Sequence, residues 1–416
     1  MSPKRPAALA FIFVTILIDV IGIGVIIPVL PALIEQLTGE GVSQASRYAG
    51  WLSFAYAAAQ FFFAPVMGGL SDRYGRRPVL LASLLGLGCD YIFLALAPSL
   101  AWLFVGRIIA GITGASFTTA TAYIADVSTP EKRAQNFGLV GAAFGLGFII
   151  GPVVGGLFAH FGPRVPFIVA AVLSLCNFLY GFFLVPESLP LAQRRPFTWA
   201  RANAVASLVR LGKYPQIIGL VVALILLYLA GSATQSVWTF YSILKFNWDE
   251  KLIGYSLGAV GLGALIVQGG LVRVLIPRLG SARAVTAGLV CYLVGFVLYA
   301  FASQGWMMFA VTGIYCLGGL AGPALQGSIS GQVPANEQGE LQGALTSLIS
   351  ATGIVGPLLM TNLFAWFTRP QAPVYFPGMP FLVGAGLTLL ALLVAAGPLR
   401  RLPDAPAPAA GAPGGH

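Results

Sequence analysis

GGLSDRYGRRPVLL, from Gly68 to Leu81, sets an acid, three arginines, a turn glycine and a proline between two long apolar runs, 51–69 and 79–98. Such a cluster belongs in water, where a membrane helix leaves the bilayer and turns straight back. Short loops rich in Lys and Arg stay on the cytoplasmic side, so this stretch orients the chain around it.

The rest of the composition agrees with that reading. Of 416 residues 57% are hydrophobic and 9% charged, against roughly 25% charged in an average soluble domain. A soluble fold of this composition has almost nothing polar to show to water. The net charge of +10 does not point to nucleic acid, because the basic residues sit between apolar runs rather than on one soluble face. Cys89, Cys176, Cys291 and Cys316 all fall inside apolar runs and read as small buried hydrophobes. Lys4 and Arg5 precede an apolar run, but that run carries Asp19 and has no small-residue cleavage site, so it reads as a first helix.

Apolar runs at 7–33, 47–69, 79–98, 100–125, 134–159, 164–185, 214–244, 252–276, 284–302, 304–329, 341–367 and 376–398 are each long enough to cross hydrocarbon about 30 Å thick. The expected fold is an all-α polytopic membrane protein with twelve transmembrane helices. With both termini cytoplasmic, 17 of the 23 basic residues fall on the side of the Gly68–Leu81 loop and 5 on the other. The longest connection, 187–213, divides the helices into bundles at 1–186 and 214–399, and the Pro- and Ala-rich tail, 400–416, is expected to be disordered.

Two motifs recur at an offset of 205 residues. Arg73 and Gly75 match Arg278 and Gly280, and Gly151 with Pro152 matches Gly356 with Pro357. Duplicated six-helix halves follow, an arrangement that marks transporters with a central site between two bundles. Pro277 stands where Asp72 stood, and the acids cluster in the first half, which places ion coupling there.

Asp19 and Asp90 each lie about 11 or 12 residues from a helix end, near the bilayer midplane at 1.5 Å per residue. A charged group there costs on the order of 2.5 to 3.5 kcal/mol on insertion scales, so an intramembrane acid is a functional candidate. The bland alternative is an acid kept neutral and bonded to a neighbouring hydroxyl. A carboxyl group reached by water alternately from two sides can take up a proton on one and release it on the other. Arg107 cannot neutralise itself and must find a carboxylate, a carbonyl or water; it is either a static tie or the partner that tunes the acid. From it run Gly111, Gly114, Thr118 and Thr121 along one helical face.

In helix 5, Gly147, Gly151 and Gly155, with Gly156, allow close helix contact, and Pro152 removes a backbone donor. The run is either tight packing or a hinge between the halves. Asp72, Arg73, Arg76 and Arg77, with Gly68 and Gly75, and Asp126, Glu131 and Arg133 on the neighbouring loop, form a candidate cytoplasmic gate; topology alone is the alternative. Candidate cavity residues are Gln60 and Thr118 in the first half, then Tyr228, Ser232, Gln235, Trp238 and Thr239 in helix 7, and Gln342, Thr346, Ser350 and Gly353 in helix 11. Hydrogen bonding between helices is as good an explanation for any one of these. No constellation of nucleophile and base accompanies the two histidines, His160 and His416, so an enzyme is not expected.

These residues resemble the drug–proton antiporters of the major facilitator superfamily, and among them the tetracycline efflux pumps. GGLSDRYGRRPVLL, the Arg107 stretch LFVGRIIAGITGA and the run GPVVGG resemble the antiporter signatures. The closer likeness lies in Asp19 with Gly22, Gly24, Pro28 and Pro31, in Asp90-Tyr91, in FNWDEKLIGYSL from Phe246 and in ELQGALTSLISATGIVGPLL from Glu340. The resemblance implies an inner-membrane exporter exchanging a small-molecule drug for protons, with Asp19, Asp90 and Arg107 in or beside the path. No protein-bound cofactor or metal is implied. In tetracycline pumps the cargo is a metal-chelated drug, helix 8 carries a His and helix 9 an acid; here helix 8 has no His and 284–301 no acid. The alternatives within the same fold are a multidrug exporter and a metabolite facilitator or symporter.

Overall fold

The computed structural model describes residues 5–114, 116–128, 133–194, 214–334 and 338–400. The tail from 401 and most of the linker, 195–213, lie outside the described residues, as do Glu131 and the side chains of Thr118 and Arg133.

In the first half the helices are α1 (Arg5–Ile26), α2 (Leu30–Thr38), α3 (Val42–Tyr74), α4 (Arg76–Leu96), α5 (Leu100–Thr113), α6 (Ser116–Val127), α7 (Arg133–Ala159) and α8 (Val165–Leu184). The second half has α9 (Ile218–Phe246), α10 (Glu250–Ile266), α11 (Val272–Leu279), α12 (Ser281–Phe301), α13 (Gly305–Leu317), α14 (Ala321–Ser330), α15 (Gln338–Thr368) and α16 (Met379–Arg400). Among the described residues 11 helical runs are long and apolar enough to cross a membrane, and Leu100–Thr113 is a shorter apolar helix.

Four of the expected spans are interrupted, each where the sequence withholds a backbone donor or a side chain; the tenth is broken by a 3-10 turn at Gly318–Leu320 between α13 and α14. The first stops at Ile26, because Pro28 and Pro31 lack N–H groups; a tight turn with Ile27 N–H on the Gly24 carbonyl at 3.2 Å leads into α2. The span at 100–125 is two helices that meet at Gly114, so the stripe from Arg107 to Thr121 does not run on one unbroken helix. The eighth span holds a π-turn at Val267–Leu271, around Gly269 and Gly270, between α10 and α11. By contrast, α7 runs on through Pro152 and α15 through Pro357.

The repeat reappears in the backbone. Gly75 and Gly280 both have positive φ, 105° and 79°, with ψ of 161° and 155°, and each joins two successive helices. Ala97 and Ala302, another 205 residues apart, share φ of −54° and ψ near 120° (122° and 121°), each donating its N–H three residues back. Packing repeats too: α1 lies on α7 and α8 as α9 lies on α15 and α16, and α4 on α8 as α12 on α16. The halves meet through α7 on α10 and α3 on α15.

The outer surface is as apolar as the core. Leu96 is 71% exposed and Phe183 76%, while Asp19 and Asp90 are buried. That inversion suits a lipid solvent and would be costly in water. Cys89 and Cys176 lie on this exposed surface rather than inside, which corrects the reading of all four cysteines as buried; all are free thiols.

Candidate functional site

The first-half acids have different partners. Asp90 on α4 pairs through Oδ2 with Nη2 of Arg107 on α5. The two residues are 17 apart in sequence and are brought together because α4 and α5 pack side by side after the turn at Ala97. Asp90 Oδ1 and Arg107 Nε are buried without a hydrogen-bond partner, and Gly106 leaves the space beside Oδ1, where a Cβ would stand 2.8 Å away. The guanidinium also lies 5.8 Å from the centre of the Tyr56 ring.

Gln60 donates from Nε2 to the Tyr56 hydroxyl and to the Gly114 carbonyl, both at 3.2 Å. It therefore satisfies a carbonyl at the break in the fourth span and ties that break to the Arg107 side of α3. Tyr91, next to Asp90, reaches back to α1: its hydroxyl is 3.3 Å from where a Cβ on Gly22 would stand. The charges of Asp19, Asp90 and Arg107 all act on the Tyr91 phenol, which places the three in one electrostatic neighbourhood. Asp19 itself faces α8, where Asn177 Nδ2 lies 3.4 Å from its Oδ1. Neither Asn177 nor Tyr56 carried a polar pattern that would single it out in the sequence.

Arg76 is the centre of the loop cluster. It reaches Asp72 at 2.5 Å, Asp126 at 3.1 Å and the Ser71 hydroxyl at 2.6 Å. Glu187, just beyond α8, accepts the backbone N–H groups of Arg76 at 2.8 Å and Arg77 at 3.3 Å, so a carboxylate from the neighbouring helix's exit caps the positive end of α4. Gly75 presses against that carboxylate with no room for a Cβ. Arg77 donates to the Phe182 carbonyl at 2.7 Å, and Arg73 lies over Tyr74. Each of these contacts stays within the first half. A Cβ on Gly68 would meet nothing within 4 Å.

Among the described residues, hydrogen bonds between the halves lie at the opposite end. Ser43, at the start of α3, donates to the Ala365 carbonyl at 3.1 Å and shares a 2.6 Å hydrogen bond with Thr368. Ser46 reaches the Thr361 carbonyl at 3.4 Å. The helix 5 glycines serve two neighbours: Gly147, Gly151 and Gly155 press on α1 at Val20, Gly24 and Val25, while Gly156 meets the Glu250 carbonyl and Pro152 presents its carbonyl to Gly254. One helix thus packs tightly within its half and also across the midline.

The second-half candidates separate into two groups. Trp238 is 1% exposed, bonded to Ser256 Oγ at 2.9 Å and set edge-on to Tyr299; Ser232 is packed against Gly356, and Thr239 is buried. In this conformation these side chains offer no surface to a ligand. Gln235, Gln342, Thr346, Ser350 and Gly353 are exposed, the last four along one face of α15. Tyr228 is half-buried and accepts from Gln326 Nε2 at 3.3 Å, a partner on α14 that the sequence patterns did not pick out.

The arrangement is that of a membrane carrier: two like bundles meeting along α3, α7, α10 and α15, with the buried acids, Asp19 and Asp90, both in the first of them. The sequence profile of the Major Facilitator Superfamily matches residues 12–323, and the chain belongs to that family. It is 41% identical over 389 residues, 94% of its length and 96% of the relative's, to the class C tetracycline resistance protein of Escherichia coli. It is 37% identical to the class D tetracycline resistance protein of Salmonella ordonez, covering 94% of this chain and 96% of that one. The crystal structure of a mutant of the nucleoside transporter NupG superposes with a TM-score of 0.76 at 15% identity, covering 94% of this chain and 99% of that one, which establishes the fold.

Proposed function

We propose that this chain is a proton-coupled antiporter that exports tetracycline-like or other amphipathic drugs across the bacterial inner membrane by alternating access. The observation that carries the reading is the buried Asp90–Arg107 pair with a second buried acid, Asp19, in the same neighbourhood, in a chain related along nearly its whole length to tetracycline resistance proteins. In this reading Asp90 and Asp19 take up and give back protons, and Arg107 is the cation that competes with the proton for Asp90.

The Gly68–Leu81 loop is assigned to the cytoplasm by its basic residues. The seal formed by Ser43, Ser46, Thr361 and Thr368 then lies on the periplasmic side. The exposed polar face of α15, Gln342 to Gly353, suits an aqueous path rather than lipid, because uncharged polar side chains gain nothing from hydrocarbon. The Arg76 network keeps the cytoplasmic ends of α3, α4 and α6 moving as one body. Any metal–drug chelate enters as cargo.

Transport of tetracycline into everted vesicles under an imposed proton gradient tests this. Accumulation that collapses with an uncoupler is expected; accumulation that ignores the gradient overturns the proton coupling. A second reading, a multidrug exporter of unrelated compounds, is favoured by the absence of a helix 8 His and a helix 9 acid, and a panel of drug susceptibilities in a sensitive host separates the two.

A further inference from the structure

Beyond the Asp90–Arg107 pair, the interface of α1 with α8 holds a second buried polar cluster. The two helices run antiparallel in a register fixed at three levels: Phe11 stacks on Tyr180 with ring centroids 4.7 Å apart, Asn177 Nδ2 donates to the Thr15 carbonyl at 3.1 Å, and the same Nδ2 reaches Asp19 Oδ1 at 3.4 Å. One turn further along α8, Ser174 falls level with Asp19. Thr15, Asp19, Ser174 and Asn177 are all at most 3% exposed. Three acceptor atoms in this set, Thr15 Oγ1, Ser174 Oγ and Asn177 Oδ1, have no hydrogen-bond partner.

Buried polar atoms are ordinarily satisfied, so three orphans within about one helical turn of the Asp19–Asn177 contact call for a reason. An ionised carboxylate only accepts hydrogen bonds, and the Asn177 amide supplies a donor. A protonated carboxyl gains an O–H and needs an acceptor, and the orphaned oxygens are such acceptors. We propose that Asn177, supported by Ser174 and Thr15, is the positioning residue for Asp19, bonding its carboxylate through the amide N–H and its carboxylic acid through a spare oxygen. Asp19 then changes protonation with little rearrangement of its surroundings. The inference rests on the proposed proton coupling, but its first readout does not need transport.

Among the described residues, the other titratable groups near Asp19 have settings of their own. Tyr91, Tyr56, Asp90 and Arg107 share its electrostatic field. On α8 the titratable side chains are Cys176, which is exposed, and Tyr180, which is stacked on Phe11. On α6, Tyr123 is bonded to the Pro186 carbonyl and Asp126 to Arg76. The described side chains of α7, 140–159, include no titratable group.

The test is a pH titration by infrared difference spectroscopy of the protein in liposomes, the Asp19 carboxyl band being identified by its loss in Asp19→Asn. In Asn177→Val the titration midpoint moves up by about one pH unit and the band shifts in frequency, since one charge-assisted hydrogen bond is lost. Asn177→Thr, nearly the same shape with a hydroxyl, recovers part of the shift. Ser174→Ala, a mild deletion, removes an acceptor for the carboxylic acid, so it gives a smaller shift of the opposite sign, and it serves if Asn177→Val does not fold. A band unmoved in both Asn177→Val and Ser174→Ala, or in Ser174→Ala alone where the valine variant does not fold, overturns the inference. Tetracycline exchange by wild type that ignores an imposed pH gradient overturns the proposed coupling instead, and leaves the infrared result standing by itself.

Discussion

Arg107 on α5 bonds Asp90 on α4 through a single guanidinium nitrogen, leaving Asp90 Oδ1 and Arg107 Nε buried and unbonded. The pair is therefore half-made: a fully bidentate pair would use both oxygens and be harder to separate. Asp90→Asn keeps the shape and one acceptor but cannot titrate. It is expected to fold normally and to lower proton-driven efflux in everted vesicles by more than about tenfold. Arg107→Ala removes the cation from a buried carboxylate and is expected to cost about 3 to 5 kcal/mol of stability; adding Asp90→Asn recovers part of that loss in a thermal unfolding assay.

Gly75 and Gly68 belong to one loop signature but to different physics. Gly75 has φ of 105° and meets the Glu187 carboxylate, so Gly75→Ala is expected to cost about 1 to 3 kcal/mol from backbone strain alone, with the displaced cap in addition. Gly68 has open space around it, and Gly68→Ala in mid-helix is expected to be neutral or stabilising by up to about 1 kcal/mol. Melting temperatures of the two variants, measured side by side, check the contrast.

Helix 7 and helix 11 offer a second contrast. Trp238→Ala empties a fully buried site and is expected to cost about 3 to 5 kcal/mol whatever the cargo. Thr346→Val and Ser350→Ala alter an exposed polar face, and are expected to leave melting unchanged while changing the relative efflux of two dissimilar drugs. Equal loss for every drug tested would place these two residues outside the path.

Glu35, on the short helix α2, has its carboxyl pushed above the usual range, first by burial and then by the nearby charge of Glu250. A raised folded-state value means that the folded protein holds the proton more tightly than the unfolded chain, so stability falls as pH rises through that window. Glu35→Gln is expected to raise the melting temperature slightly at about pH 7.5 and to have no effect at about pH 3, where both states are protonated. A gain of equal size at both values would show that charge is not the cause.

Much of this architecture is legible in the chain because lipid imposes a coarse rule. Every backbone polar group must be satisfied within its own helix, so apolar length alone marks the spans. The 205-residue offset was readable at Gly75 and Gly280, where positive φ leaves glycine as the fitting residue. It was not readable at Ala97 and Ala302, since many residues adopt that turn. Arg107 was expected to need an acid, but which acid answers it depends on the packing of α4 on α5. Breaks at Gly114 and at Val267–Leu271 fall within runs whose hydropathy is unbroken, and no composition rule distinguishes them. The reading of Cys89 and Cys176 as buried failed for a related reason: in a bilayer an apolar position can face lipid as well as the core.

The order of the amino acids alone determined that this chain lives in a membrane, which side of it carries most of the basic residues, and that the acids inside the apolar spans are confined to one half. Those properties follow from transfer energies summed along the chain. Tertiary structure alone decided that Asp90 answers Arg107, that Asn177 faces Asp19, that Glu187 caps α4, and that Ser43 and Thr368 join the halves. Each of these pairs residues from different segments of the chain, and their meeting depends on helix register and rotation, which side-chain packing sets and apolar length does not.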